Sequence, residues 1–469
     1  MSTIETLAPP VEKASPKKNG TVYQTPGSGL SFKEWNGYEK ILFRFTAIYF
    51  LIQAIPLDWK YYRDVFSINW LDLHYRDIFY LAHYAPRFFE SVPVFADWVV
   101  IAVIALFGSV LWGALDTKTK EYNRLFYWLR VILRYRLAIA LLAFGFLKFF
   151  PQQMPEPSIS NLNTNYGDIA YWKIFSISTG IVPGYEAFLG FIEIAAALLL
   201  FSRKTTWLGA FIIIPFAGNV FLSNLAYEGG EYVYSLGLIG FATVLLAYDI
   251  LRIIRLTSLE ETTEPNNYKP VFTGWQKNAR LAVKTVIILF FVGIYGYKTY
   301  AGQFNDPYQF PQTPGLAHAS GVYNVSEFKI NNQVIPYSTT DPIRWKDVVF
   351  EKWNTISVRS NKPVKIATAG TEEISLDDKD RNYEFAGTAG RHYYTYSIDS
   401  VNHVLSLQNR NVNHAEDKLT LHYERAGDQI VLSGVDEKSD SLHVVLDKLD
   451  RKYVLEEAKK TGRGRGLKL

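Results

Sequence analysis

The chain has 469 residues, 48% hydrophobic and 20% charged, with a formal net charge of +4 and no cysteine. That balance fits neither a purely soluble nor a purely membrane chain, and it excludes disulfides, thiol catalysis, Cys-ligated iron–sulfur clusters and Cys-zinc sites. The charge is small for the length, and no basic block is long enough to argue for nucleic acid; the basic tail TGRGRGLKL reads as a solvated, frayed end.

Residues 1–37 are polar and rich in Pro, Ser and Lys, with no apolar core of a cleavable signal. They read as a disordered cytoplasmic tail, with the first apolar run as an uncleaved signal-anchor. Seven apolar runs follow, at 40–57, 94–115, 127–150, 184–201, 206–224, 232–254 and 281–300. At about 1.5 Å of rise per residue, each is close to one crossing of a hydrocarbon layer about 30 Å thick. The third run is the most charged, carrying Arg130, Arg134, Arg136 and Lys148.

With the N-terminus inside, the inner segments hold thirteen Lys and Arg residues against five in the outer loops. The excess orients the N-terminus to the cytoplasm and, after seven crossings, the C-terminus outside. Trp98, Trp128, Tyr185, Trp207 and Tyr232 stand at run ends, where interfacial anchors belong. The outer loop 57–93, centred on LHYRDIFYLAHYAPRFF, reads either as an interfacial helix or as a packed loop. The loop 151–183 is expected to cap the bundle on the outside.

Beyond residue 303 alternation replaces the long apolar runs. VYNVSEFKI and QVIPYST flank Asn331-Asn332, a hairpin signal, and YYTYSID and HVLSLQN flank a turn at Ser400–Asn402. VVFEKWNTISVRS, KLTLHYE, QIVLSGV and SLHVVLDKLD complete about eight strands. The expected fold is therefore an α-helical transmembrane bundle of about seven helices, followed by an all-β barrel or sandwich at 303–469.

Ionisable residues within membrane runs are candidates for function. Lys148 and Glu186 each lie two residues from the outer ends of their runs, so they are expected at similar depth and within pairing distance. Glu193 lies about 13 Å below the outer end of its run, with Arg136 as its expected partner. Glu186 and Glu193, seven apart, share a face. Asn219 and Asn224 lie in the same outer half, and Tyr135, Tyr166 and Tyr185 offer hydroxyls. Two readings stand side by side: an outward-opening polar pocket, or a set of interhelical staples. Arg44, Arg130, Arg134, Asp249 and Arg252 lie near inner ends and are expected to snorkel.

None of the eight histidines falls in a predicted bundle helix, so a bis-His haem has no ligands. His74 and His83 read as surface-loop residues. His392, His403 and His414 recur every eleven residues, but only strand pairing would bring them together. No metal site is expected, and no Walker, Rossmann, HExxH or GxSxG motif occurs.

The segment 134–224 resembles the DoxX-like family of small membrane proteins, a four-helix unit. RYRLAIALLAFGFLKFF is similar to the family's first helix, with Arg136, Gly145 and Lys148. GYEAFLGFIEIAAALLLFSRKTTWLGA places Gly190, Glu193 and Arg203 at the family's glycine, glutamate and post-helix basic positions. The resemblance implies a unit at 127–254, an extension at 38–126 and a linker with a seventh helix at 255–302. It also implies association with membrane redox complexes, including a thiosulfate:quinone oxidoreductase subunit. The expected ligand is then a quinone or another amphipathic molecule, held by Arg136, Lys148, Glu186 and Glu193 in a bacterial inner membrane. The alternative is a membrane-anchored module whose β domain recognises an envelope ligand or protein partner. The sequence does not decide whether the chain is an enzyme.

Overall fold

The computed structural model describes residues 22–24, 31–90, 92–263, 270, 272, 274–367, 374–436 and 438–461. Of the expected disordered tail, residues 1–21 and 25–30 lie outside that set, as does the expected frayed end from 462 onward. Val22–Gln24 (β1) and Ser31–Lys33 (β2) pair as antiparallel strands, so part of the tail is ordered.

The helices follow the apolar runs. They are α1 (Gly37–Ala54), α2 (Trp59–Ser67), α3 (Tyr75–Ala82), α4 (Phe95–Leu115), α5 (Asn123–Phe149) and the one-turn α6 (Ile159–Leu162). Then come α7 (Tyr171–Gly180), α8 (Pro183–Leu200), α9 (Thr206–Ala226), α10 (Tyr232–Thr257), α11 (Trp275–Ile288) and α12 (Tyr295–Asn305). A π-helical turn at Leu289–Ile294 makes α11 and α12 one continuous rod. Among the described residues, six helices are long and apolar enough to cross a membrane, not the seven expected. The exception is α5, whose Arg124, Arg130, Arg134, Arg136 and Lys148 dilute its apolar character. It tolerates them because it is the central helix, packed against α1, α3, α8, α10 and α12.

Helices α5, α8, α9 and α10 form a closed ring, each touching the next. Two glycines set its tightest crossing. A Cβ on Gly190 would stand 2.3 Å from the Phe149 nitrogen, and one on Gly145 would stand 2.9 Å from Ile194 Cγ1. Backbone therefore meets backbone where α8 crosses α5, as small residues allow between helices. The pair α1 and α4 packs on the flank of this ring. In the loop 57–93, α3 buries Tyr75, Ile78, Phe79 and Ala82 against its neighbours, so this helix is packed rather than interfacial.

The β domain is a closed barrel. Its strands are β3 (Gly321–Ile330), β5 (Asp347–Phe350), β6 (Thr355–Arg359), β7 (His392–Asp399), β8 (Val404–Asn409), β9 (Lys418–Ala426), β10 (Gln429–Asp436) and β11 (Ser441–Lys448). Each is antiparallel to the next, and β11 returns to β3, which closes the sheet and removes its edges. QVIPYST contributes only β4 (Gln333–Val334), a two-residue stub on β3. Asn331 and Asn332 stand at φ 51° and 64°, the left-handed pair that a tight hairpin turn requires. Apolar side chains such as Val325, Val348, Ile356, Leu405, Leu432 and Val444 fill the interior, as eight strands allow. A final helix, α13 (Val454–Thr461), was not foreseen in the sequence.

Strands β5 and β6 are buried on both faces, because the barrel docks on the loop 151–183 through their outer side. Ser160 donates to Glu351 Oε1 from its hydroxyl at 2.6 Å and from its backbone at 2.7 Å. Its hydroxyl also lies 2.7 Å from that of Ser357, which accepts from Arg391 Nε at 2.8 Å. Ala170 N donates to Gly387 O at 2.7 Å, and Ala389 N to Asp168 O at 2.8 Å. These bonds place one loop of the β domain directly over the four-helix ring.

Candidate functional site

A cavity of about 240 Å³ lies inside the ring, at the end nearest the barrel. Each helix contributes a stripe at helical spacing. From α5 come Leu141, Phe144 and Lys148; from α8, Tyr185, Leu189 and Glu193. Ile213, Phe216, Asn219 and Val220 come from α9, and Tyr234, Ser235 and Leu238 from α10. The walls join apolar and aromatic side chains to a set of polar ones that includes Gln153, Thr179, Asn219 and Ser223, a mixture suited to a small-molecule site.

The main polar feature is an ion pair. Lys148 Nζ lies 2.7 Å from Glu193 Oε1, with the two side chains only 8% and 6% exposed. Lys148 also stands 5.5 Å from the centre of the Phe144 ring. Glu193 Oε2 is buried and has no hydrogen-bond partner. An ionised or polar oxygen left in that state is costly, so the cavity presents an acceptor ready for a donor.

This pairing differs from the expected one. Lys148 stands level with Glu186 only if the helices end at the same height. They do not: Gly190 lies against Lys148 and Phe149, so the first two turns of α8 project beyond the end of α5. That shift brings Glu193, not Glu186, beside Lys148. Glu186 is buried above the cavity and accepts from Met154 N at 3.0 Å. Arg136 is not Glu193's partner. Twelve residues at about 100° each leave it about 120° around α5 from Lys148. There it donates to Ala82 O at 2.9 Å, to Tyr84 O and to Tyr234 Oη, anchoring the segment after α3.

Asn219 and Asn224 both line the cavity. Asn224 is engaged by the turn into α10, donating to Val220 O at 2.9 Å and accepting from Glu231 N at 3.4 Å. Tyr185 lines the cavity, Tyr166 is exposed on the loop, and Tyr135 packs on Phe201 away from it. His83 is not a free surface group: its Nε2 lies 3.1 Å from Glu231 Oε2. His392 and His414 do come together, with ring centres 5.3 Å apart, while His403 lies against His422. Among the described residues, no group of three or more His, Asp or Glu side chains is arranged to hold a metal ion.

The loop 151–183 caps the cavity as expected, but the share of the β domain in the roof is what the sequence did not disclose. Trp172, Phe175 and Ser176 of α7 close one side, and Asn382 and Tyr383 of the β domain close the top. Tyr383 is clamped in place. Its hydroxyl meets Ser176 Oγ at 2.8 Å, its carbonyl accepts from Lys173 Nζ, and that nitrogen sits 3.2 Å from the ring centre. Burial pushes Lys173 well below the usual lysine range. Next to Tyr383, Glu384 is fully buried and accepts from Trp353, Thr355 and Arg410. Burial, then the charge of Glu351, pushes Glu384 up to about 7. Residues of both domains thus line one cavity.

No protein-family model matches the chain, and no solved structure matches it. Among curated proteins, it is 40% identical over 78 residues to the uncharacterized protein YwoB of Bacillus subtilis (strain 168). The match takes in 17% of this chain and 48% of that protein, so it spans about half the length of the relative.

Proposed function

We propose that the capped cavity binds an amphipathic small molecule of the quinone class, taken from the bilayer, and that the chain is a DoxX-like integral membrane protein. The observation that carries this is the buried Lys148–Glu193 pair with its unsatisfied Glu193 Oε2, facing an apolar chamber inside the ring. A ring carbonyl or hydroxyl fits the polar end, while Phe144, Leu189 and Leu238 suit a ring or chain. Among the features of the DoxX-like pattern, Gly145 and Gly190 form the α5–α8 crossing, and Lys148 and Glu193 are its ion pair.

The proposed setting is a bacterial inner membrane, with the N-terminus cytoplasmic and the barrel outside, as part of a redox complex. The excess of Lys and Arg in the N-terminal-side segments supports that orientation. The barrel supplies Asn382 and Tyr383 to the cavity, which favours a shared ligand over an independent envelope-binding module.

Native mass spectrometry of the full chain, purified in mild detergent, tests this. The expected spectrum carries a co-purified amphipathic molecule that is lost in Glu193→Gln while the melting temperature is kept. A Glu193→Gln protein that is folded and retains the same adduct overturns the proposal.

A further inference from the structure

The ring has a second cavity at its other end, remote from the barrel, enclosing about 540 Å³. Arg134, on its wall, is fourteen residues from Lys148 along α5, or about 21 Å. Five cations line this cavity: Arg130 and Arg134 from α5, Arg203 and Lys204 from the α8–α9 turn, and Arg252 from α10. Asp249 is the one carboxylate among the lining residues. It lies 3.6 Å from Arg130 and 3.9 Å from Arg252, and so cannot balance the whole set.

Two of these arginines do not snorkel as expected. Arg134 is only 8% exposed, has no carboxylate within ion-pair distance among the described residues, and its buried Nε has no hydrogen-bond partner. Arg130 Cζ stands 3.3 Å from the centre of the Tyr248 ring, and its Nε is likewise buried without a partner. A buried guanidinium held beside four further cations is destabilising unless an anion joins it. Phosphate matches the requirement, because guanidinium forks bind its oxygens two at a time.

We infer that this cavity is a phosphate-group site, built to take the headgroup of an anionic phospholipid. Trp207, Ile253 and Leu256 line the same cavity, giving acyl chains an apolar path to the outer surface of the bundle. A free phosphate shares the same chemistry, and the test separates the two sources.

Detergent-solubilised full-length protein is titrated with short-chain phosphatidylglycerol, with phosphatidylcholine of equal chain length, and with inorganic phosphate. Binding is read by native mass spectrometry and calorimetry. Phosphatidylglycerol is expected to bind about tenfold more tightly than phosphatidylcholine. Arg134→Gln should abolish that preference. The exposed pair Arg203→Gln/Lys204→Gln should weaken it by about tenfold with the melting temperature unchanged, which covers the case in which Arg134→Gln fails to fold. Tighter binding of inorganic phosphate than of the lipid, lost in the same variants, supports the site and assigns it to a soluble ligand. Equal affinity for the two lipids with no phosphate binding overturns it. So does a preference that survives in the Arg203→Gln/Lys204→Gln protein.

Discussion

Among the glycines of the four-helix ring, Gly190→Ala should be the most damaging. The added carbon would lie 2.3 Å from Phe149 N, 2.5 Å from Gly145 O and 2.9 Å from Lys148 C. All three are backbone atoms and cannot rotate away. Restoring an ordinary 3.4 Å contact requires α5 and α8 to part by about 1 Å. Overpacking of that kind costs about 1–3 kcal/mol. Gly145→Ala is the milder case. Its tightest neighbour, Ile194 Cγ1 at 2.9 Å, belongs to a side chain that can shift. Gly218 on α9 has nothing within 4 Å, so Gly218→Ala should be neutral or stabilising by up to about 1 kcal/mol. Unfolding curves in one detergent give the order Gly190→Ala, then Gly145→Ala, then Gly218→Ala, from least to most stable. A Gly190→Ala protein as stable as the wild type, or a reversed order, would refute the backbone-contact argument.

The barrel–bundle junction should be pH-sensitive. Glu384 is pushed up to about 7 from 4.5, so between those values the folded protein keeps a proton that the unfolded chain releases. Its contribution is fully present below about pH 4.5 and is lost as pH rises through 7, by up to about 3 kcal/mol. Burial shifts Glu351 in the same direction, whereas Lys173, pushed down, has the opposite slope above its own folded value. The measurement is therefore the difference between wild type and Glu384→Gln, whose profile should be flatter over that window; equal slopes would exclude Glu384. Arg136→Ala should free the segment after α3, with faster proteolysis between 83 and 94, about 1.5–3 kcal/mol less stability and unchanged ligand binding. Loss of ligand binding in a folded Arg136→Ala protein would return Arg136 to the site.

Hydrophobic periodicity carried most of the fold. The apolar runs located each long helix to within a few residues, except the last, where 281–300 marks only the middle of Trp275–Asn305; lipid-facing and core-facing positions are both apolar in these runs, so length alone marks a span. Alternation located the barrel strands, and Asn331-Asn332 marked its first tight turn. The membrane half of the site was also visible: Lys148, Glu193, Asn219 and Asn224 all reach the cavity. Their partners were not. The Lys148–Glu193 pair depends on how far α8 overshoots α5, which follows from where Gly190 meets the end of α5 and not from helix periodicity. Depth along the axis alone pairs Arg136 with Glu193; rotation about the helix axis turns Arg136 away from it. Tyr383 was invisible because it meets Lys173 across more than two hundred residues, through irregular chain with no repeating pattern. Arg130 and Arg134 were read as snorkelling because the sequence shows nearness to a helix end but not the direction in which a side chain turns.

The central claim is that Lys148 and Glu193 form the polar end of a ligand site, and an equilibrium titration tests it most directly. The full chain in detergent is titrated with a short-chain ubiquinone, following quenching of tryptophan fluorescence, with Trp172→Phe identifying the signal from the cavity wall. Saturable binding is expected in wild type, weakened by about tenfold or more in Glu193→Gln, with the fold intact in both. Saturable binding of equal strength in wild type and in a folded Glu193→Gln protein would contradict the claim.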